Sequence, residues 1–86
     1  MTILIADDDR VLVHWLSSHL RVRGFNVTVA FDAMQAGMVA VRTPPAAIIL
    51  DINMPGGTGF EVLRRLKTSA KTNQVPVVVL SGSIDS

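Results

Sequence analysis

The sequence predicts an α/β fold built on a parallel sheet with helices on both faces. Three observations predict it. Short apolar, β-branched runs alternate with helix-periodic stretches, the connections are short, and no repeat, linker or low-complexity tract interrupts the alternation. At 86 residues the chain is expected to form one small domain over 1–86, of modest stability because short chains bury a smaller share of their surface.

The first run, residues 3–6 (ILIA), is too short for a helix and reads as a buried strand. Residues 10–23 turn helical. Leu12, Trp15, Leu16 and Leu20 recur at three-to-four spacing, with Asp9 as N-cap and Gly24 as the stop. Residues 26–30 (NVTVA) form a second strand, less apolar and so nearer an edge. Asp32 opens a second helix over 33–42, and Pro44-Pro45 lie beyond its end. Residues 46–50 (AAIIL) are apolar throughout, as a strand covered on both faces requires. A third helix over 58–67 is predicted to bury Val62, Leu63 and Leu66, and residues 74–80 read as a fourth strand.

Composition narrows the function classes. Almost half the residues are apolar and 17% are charged, which argues for a packed core. The formal charge is +1 and the eight basic residues form no dense stripe along the chain, so neither nucleic acid nor a membrane is an expected direct partner. The absence of cysteine excludes disulfides, thiol chemistry and thiolate metal sites. No apolar run approaches the roughly 20 residues of a membrane helix, and Asp7, Asp8 and Asp9 interrupt the apolar start where a signal peptide would continue. A soluble, cytoplasmic domain is expected.

In parallel α/β folds function collects at the carboxyl ends of the strands. That rule picks out Asp7, Asp8 and Asp9 after the first strand, Asp51 after the third and Ser81 after the fourth. Asp9 is most simply a helix cap. Asp7, Asp8 and Asp51 would share one rim if the first and third strands are neighbours. Carboxylates held that close repel one another unless a cation sits among them, and an all-oxygen site suits a hard ion such as Mg²⁺. An aspartate there can also act as a nucleophile and form an aspartyl phosphate. Taken singly, Asp7 and Asp8 could be solvated loop acids, Asp51 a turn cap, and Pro55-Gly56-Gly57 a plain turn. His14 and His19 have no matching ligands elsewhere, and Met34, Met38 and Met54 read as ordinary packing residues.

Taken in order, ILIADDD, AAIILDINMPGGTGFEVLRRLK and VPVVVLSG strongly resemble the receiver domain of bacterial two-component response regulators, over residues 3–83. The resemblance implies a flavodoxin-like parallel sheet, here four strands in the order 2-1-3-4 with three helices. It implies that Asp51 is the phosphoacceptor, charged by a histidine kinase or phosphotransfer protein. Asp7 and Asp8 would hold Mg²⁺ with Asp51, Asp8 more directly, and Asn53 would contribute its backbone carbonyl. Ser81 matches the switch hydroxyl and Gly82 the small residue after it, while Pro55 and Gly59 match the turn and helix entry beyond the phosphorylated position. Thr58 stands where the family usually has aspartate and can cap the third helix equally well.

A full receiver has a fifth strand carrying an active-site lysine, and Lys67 and Lys71 lie on or just after the third helix, where neither matches it. The final α-β-α of a full receiver, with that lysine and the surface that usually meets partners, is therefore expected to be missing from this chain. Two other functions compete. One is an interaction module, a homodimer formed by pairing or domain swapping along the unpaired edge of Val77, Val78, Val79 and Leu80. The other is a haloacid-dehalogenase-like phosphohydrolase, against which Asn53 stands where that family places its acid/base aspartate.

Overall fold

The computed structural model describes residues 1–55 and 57–80. Their elements are β1 (Thr2–Ala6), α1 (Arg10–Val22), β2 (Asn26–Ala30), α2 (Ala33–Arg42), β3 (Ala47–Asp51), β4 (Asn53–Met54), β5 (Gly57–Thr58), α3 (Gly59–Thr68) and β6 (Val77–Leu80). The main sheet is wholly parallel with strands ordered β2-β1-β3-β6, which is the expected 2-1-3-4 arrangement with β6 as its fourth strand. No helix among the described residues is long and apolar enough to cross a membrane.

Side chains alternate across a strand with period two, so each central strand feeds two cores. Leu4 and Ala6 of β1 join Ile48 and Leu50 of β3, Ala36 and Ala40 of α2, and Val62 and Leu66 of α3 in the larger one. Ile3 and Ile5 point the other way, to Val13 of α1, with Leu16, Leu20, Val27, Val29 and Ile49 packed partly buried around them. Two helices cover the first face and one covers the second. That asymmetry explains why Leu12, Leu16 and Leu20 remain half-buried.

Three expectations shift. Trp15, placed on the apolar stripe of α1 by its spacing, is 56% exposed and stacks on His19, while Val13 and Ser17 take the inward positions. Ser17 Oγ is buried with no hydrogen-bond partner among the described residues, a polar interruption that periodicity alone does not flag. Met34 and Met38 are exposed on α2 rather than packed inside; only Met54 of the three is buried. The last strand starts at Val77, not at residue 74. Pro76 lacks the N–H a ladder needs, and the preceding residues fold into a turn held by Thr72 Oγ1, which donates to the Leu66 carbonyl over 2.6 Å.

The segment after β3 folds more tightly than a plain turn. Asn53 pairs with Thr58 and Met54 with Gly57 in a small antiparallel hairpin. Thr58 then caps α3, its Oγ1 accepting the Glu61 N–H over 3.3 Å, with acid at the third helical position as capping favours. Gly59 N donates to the Ile52 carbonyl over 2.6 Å, so the helix starts directly against the end of β3. A Cβ at Gly59 would lie 2.5 Å from Ile52 Cα and 2.6 Å from the Asp51 carbonyl oxygen. Both are backbone atoms that cannot move aside. Gly59→Ala is therefore expected to destabilise the fold by about 2–3 kcal/mol, lowering the thermal midpoint by on the order of 10–20 °C. A denaturation curve matching that of the unsubstituted chain would show that the approach is looser than it stands here.

Candidate functional site

The site follows from strand register. Ala6 of β1 pairs beside Leu50 of β3, so Asp7 and Asp51, the next residues of each, meet at the carboxyl edge of the sheet. Asp51 is the last residue of β3 and stays in the ladder opposite Leu80. Asp7 remains tied to the sheet by its N–H, which donates to the Ala30 carbonyl at the end of β2 over 3.0 Å. One carboxylate oxygen each from Asp7, Asp8 and Asp51 all lie within 4.8 Å of one another. Asp7 and Asp51 are buried and Asp8 is exposed.

The neighbouring acid is spent elsewhere. Asp9 Oδ1 accepts the N–H groups of Val11 and Leu12, both over 3.1 Å, and so is the α1 cap that the sequence suggests. Its own N–H donates to Asp7 Oδ1 over 2.9 Å and fixes that carboxylate. Asp51 Oδ1 accepts the Asn53 N–H over 3.3 Å, which aims Asp51 from the other side. Pro55 takes part through its backbone, its carbonyl accepting the Ala33 N–H over 3.0 Å and joining the hairpin to the start of α2. No local pattern in the sequence signals that link. Ser81 and Gly82, also expected at this rim, lie outside the described residues.

Burial pushes the Asp7 carboxyl above its ordinary value of 3.8; the Asp9 N–H works against this, and the charges of Asp51, Asp8 and Asp9 add to the rise. Every charged group acting on Asp7 is thus another carboxylate. Arg10, next in sequence to these acids, sits over the Phe31 ring at 4.0 Å from its centroid. A dense all-oxygen donor set with uncompensated negative charge fits a hard divalent cation, which coordinates carboxylates and keeps water or phosphate oxygens for the rest.

Comparison with known proteins agrees with this geometry. A family model described as "Response regulator receiver domain" matches residues 3–86. Among curated proteins, the transcriptional regulatory protein TctD of Salmonella typhimurium (strain SL1344) is 41% identical over 81 residues, which is 94% of this chain and 35% of that protein. The transcriptional regulatory protein PrrA of Mycobacterium leprae is 44% identical over 79 residues, 92% of this chain and 33% of that protein. The chain thus spans about a third of the length of the curated relatives it matches. Among solved structures, the N-terminal domain of a response regulator receiver protein from Methanoculleus marisnigri JR1 superposes with a TM-score of 0.89 at 32% identity, over 99% of this chain and 69% of that one. The receiver domain of the sensor histidine kinase PA1611 from Pseudomonas aeruginosa PAO1, which has a magnesium ion coordinated in its active-site cleft, gives 0.90 at 28% identity, over 95% of this chain and 67% of that one.

The raised carboxyl has a consequence for stability. Between its ordinary value and its raised folded value, the native state holds the Asp7 proton more tightly than the unfolded chain does. Stability from this group is therefore intact below the ordinary value, falls as pH rises through that window, and is level above it. At neutral pH without divalent ion, Asp7→Asn should raise the thermal midpoint, since asparagine keeps an oxygen for the Asp9 N–H and removes the buried charge. The gain should shrink as pH drops below the ordinary carboxylate value, and added Mg²⁺ should stabilise the original chain more than the variant. A lower midpoint for Asp7→Asn across the whole range, scanned by circular dichroism, would refute the charge account.

Proposed function

Because the chain belongs to the family of response regulator receiver domains of two-component signal transduction, we propose that Asp51 accepts a phosphoryl group from a histidine kinase or phosphotransfer protein, with Mg²⁺ held by Asp7, Asp8, Asp51 and the Asn53 carbonyl. The observation that supports this most directly is the convergence of the three carboxylates within 4.8 Å at the strand ends. Asp51 Oδ1 is held by the Asn53 N–H, so we assign the other oxygen as the nucleophile. It forms the new bond to phosphorus as the phosphorus–nitrogen bond to the donor histidine breaks, and the departing imidazole takes up a proton. Burial of Asp51 keeps bulk water from competing for the phosphoryl group. Bound Mg²⁺ supplies the positive charge that lets an anionic carboxylate approach an anionic phosphoryl group.

Ser81 follows Leu80, the register partner of Asp51, and on this reading Ser81 and Gly82 take the switch-hydroxyl and small-residue roles that the family resemblance gives them. Lys67 does not serve the rim. Its Nζ donates to the Val75 carbonyl over 3.4 Å, near the start of β6 and at the opposite end of the strand from Asp51. The chain acts on this reading as a phosphoacceptor in a cytoplasmic relay rather than as a turnover enzyme. Intact mass spectrometry after incubation with Mg²⁺ and acetyl phosphate should show a gain of one phosphoryl group that Asp51→Asn abolishes. Equal masses for both proteins at long incubation, or a gain that survives the substitution, would overturn the assignment.

A second reading rests on β6. Val78 is 56% and Val79 41% exposed on a strand that pairs only with β3 among the described residues. An apolar edge of this kind favours pairing with a second copy of the chain. Sedimentation velocity should then reveal a dimer whose population grows with concentration and falls on Val78→Lys. A monodisperse monomer at high concentration would eliminate it.

A further inference from the structure

The fold brings Arg42 beside a basic stretch that lies well after it in the sequence. Two shallow recesses of about 500 and 310 Å³ lie between α2 and α3 and share Arg65 as a common wall. Together they form one groove that runs from Ala33 and Met34 to Val41 and Arg42, the full ten residues of α2, or about 15 Å at the usual helical rise. Arg42, Arg64, Arg65 and Lys71 line it, half of the chain's eight basic side chains, against Glu61 alone of its seven acids. The rest of the chain then carries six acids to four bases, so the groove is a local positive surface on a molecule negative elsewhere.

The groove is also apolar. Val62 is buried at its floor, and Met34 and Met38 stand exposed on its α2 side at 66% and 51%. Methionine adapts its shape to varied apolar partners at low cost. Arg65 is set in place by a particular residue, Gly37, where a Cβ would come within 2.9 Å of Nη1 and 3.3 Å of Cδ. The missing side chain on α2 lets the arginine lie across that helix between the two recesses. A planar guanidinium held this way presents a fork of donors suited to carboxylates.

We propose that the α2–α3 groove is a docking site for an acidic amphipathic helix of a partner protein, its apolar side against Met34 and Met38 and its carboxylates on Arg65, Arg42 and Lys71. Charge complementarity selects acid, and the apolar floor selects a folded amphipathic segment over a nucleic acid backbone, which would need phosphate contacts alone. The site is separate from the acidic rim and does not depend on phosphoryl transfer there.

The test is fluorescence anisotropy with a labelled amphipathic peptide of about 15 residues, near the lower length at which an isolated helix forms, carrying glutamates on its polar face. A twin with lysine in place of glutamate, a single-stranded DNA oligomer and anionic phospholipid vesicles form the other arms. The acidic peptide should bind saturably and weaken with salt, and the lysine twin should not bind. Arg65→Glu, at an exposed position, should lower the affinity by about tenfold or more. Arg21→Glu, the same charge change on α1, should alter it by less than about twofold, as expected of a screened distant charge. Absence of saturable binding, equal losses in the two variants, or tighter Arg65-dependent binding of DNA or vesicles would each overturn the proposal.

Discussion

The parallel register of β1 against β3 is the constraint on which the rest of the site depends. It sets Ala6 beside Leu50 and so brings Asp7 to Asp51. Both carboxylates are buried, and their repulsion works against the pairing that holds them. What keeps the register is the core. Leu4 and Ala6 fill one face and Ile3 and Ile5 the other, so a slip of one residue would exchange the two sets and expose or crowd each of them. Apolar burial on two faces thus supplies the free energy that compresses like charges on the rim.

The compressed charges are then oriented by backbone rather than by cationic side chains. Asp7 and Asp51 each accept an N–H from the residue two positions on, Asp9 and Asn53 respectively. These bonds orient the carboxylates but bring no cationic side chain to them. Arg10, the nearest candidate in sequence, is instead turned onto Phe31. Among the described residues the rim is therefore anion-rich, a donor set that suits a hard cation and carries a cost to stability.

How much of this could be read from the sequence varies by residue. The central strands were legible because apolar β-branched runs such as ILIA and AAIIL have few alternatives, and the acids stood out because they follow those runs directly. The Asp9 and Thr58 caps were legible for the same local reason. Trp15, Met34 and Met38 escape this logic, since hydrophobicity says that a side chain prefers burial but not whether the fold has a surface left to bury it. The start of the last strand was misplaced because Pro76 and the Thr72 turn act through backbone geometry that apolar counting overlooks. Gly59 was matched as a helix entry, yet its contact with the Asp51 carbonyl is a three-dimensional fact with no local signature. The basic groove has no local signature for the same reason, as Arg42 lies far in sequence from Arg64, Arg65 and Lys71 and joins them only when α2 lies along α3.

The acidic rim and the basic groove are separate surfaces, but they share a structural element. The hairpin that follows Asp51 is fastened to the start of α2 by the Ala33 N–H on the Pro55 carbonyl, and Ala33 also lines the groove. The same hairpin leads through Thr58 and Gly59 into α3, which carries Arg64 and Arg65. Both walls of the groove therefore begin at the segment nearest the Asp51 carboxylate. A change in charge at Asp51 that altered its hold on the Asn53 N–H would act first on this hairpin and only then on the helices attached to it. Gly59 packs against the β3 backbone on the α3 side. On the α2 side the Ala33–Pro55 hydrogen bond and the burial of Met54 among the α2 alanines tie the hairpin to that helix, so a change at Asp51 would reach both walls of the groove through packed contacts.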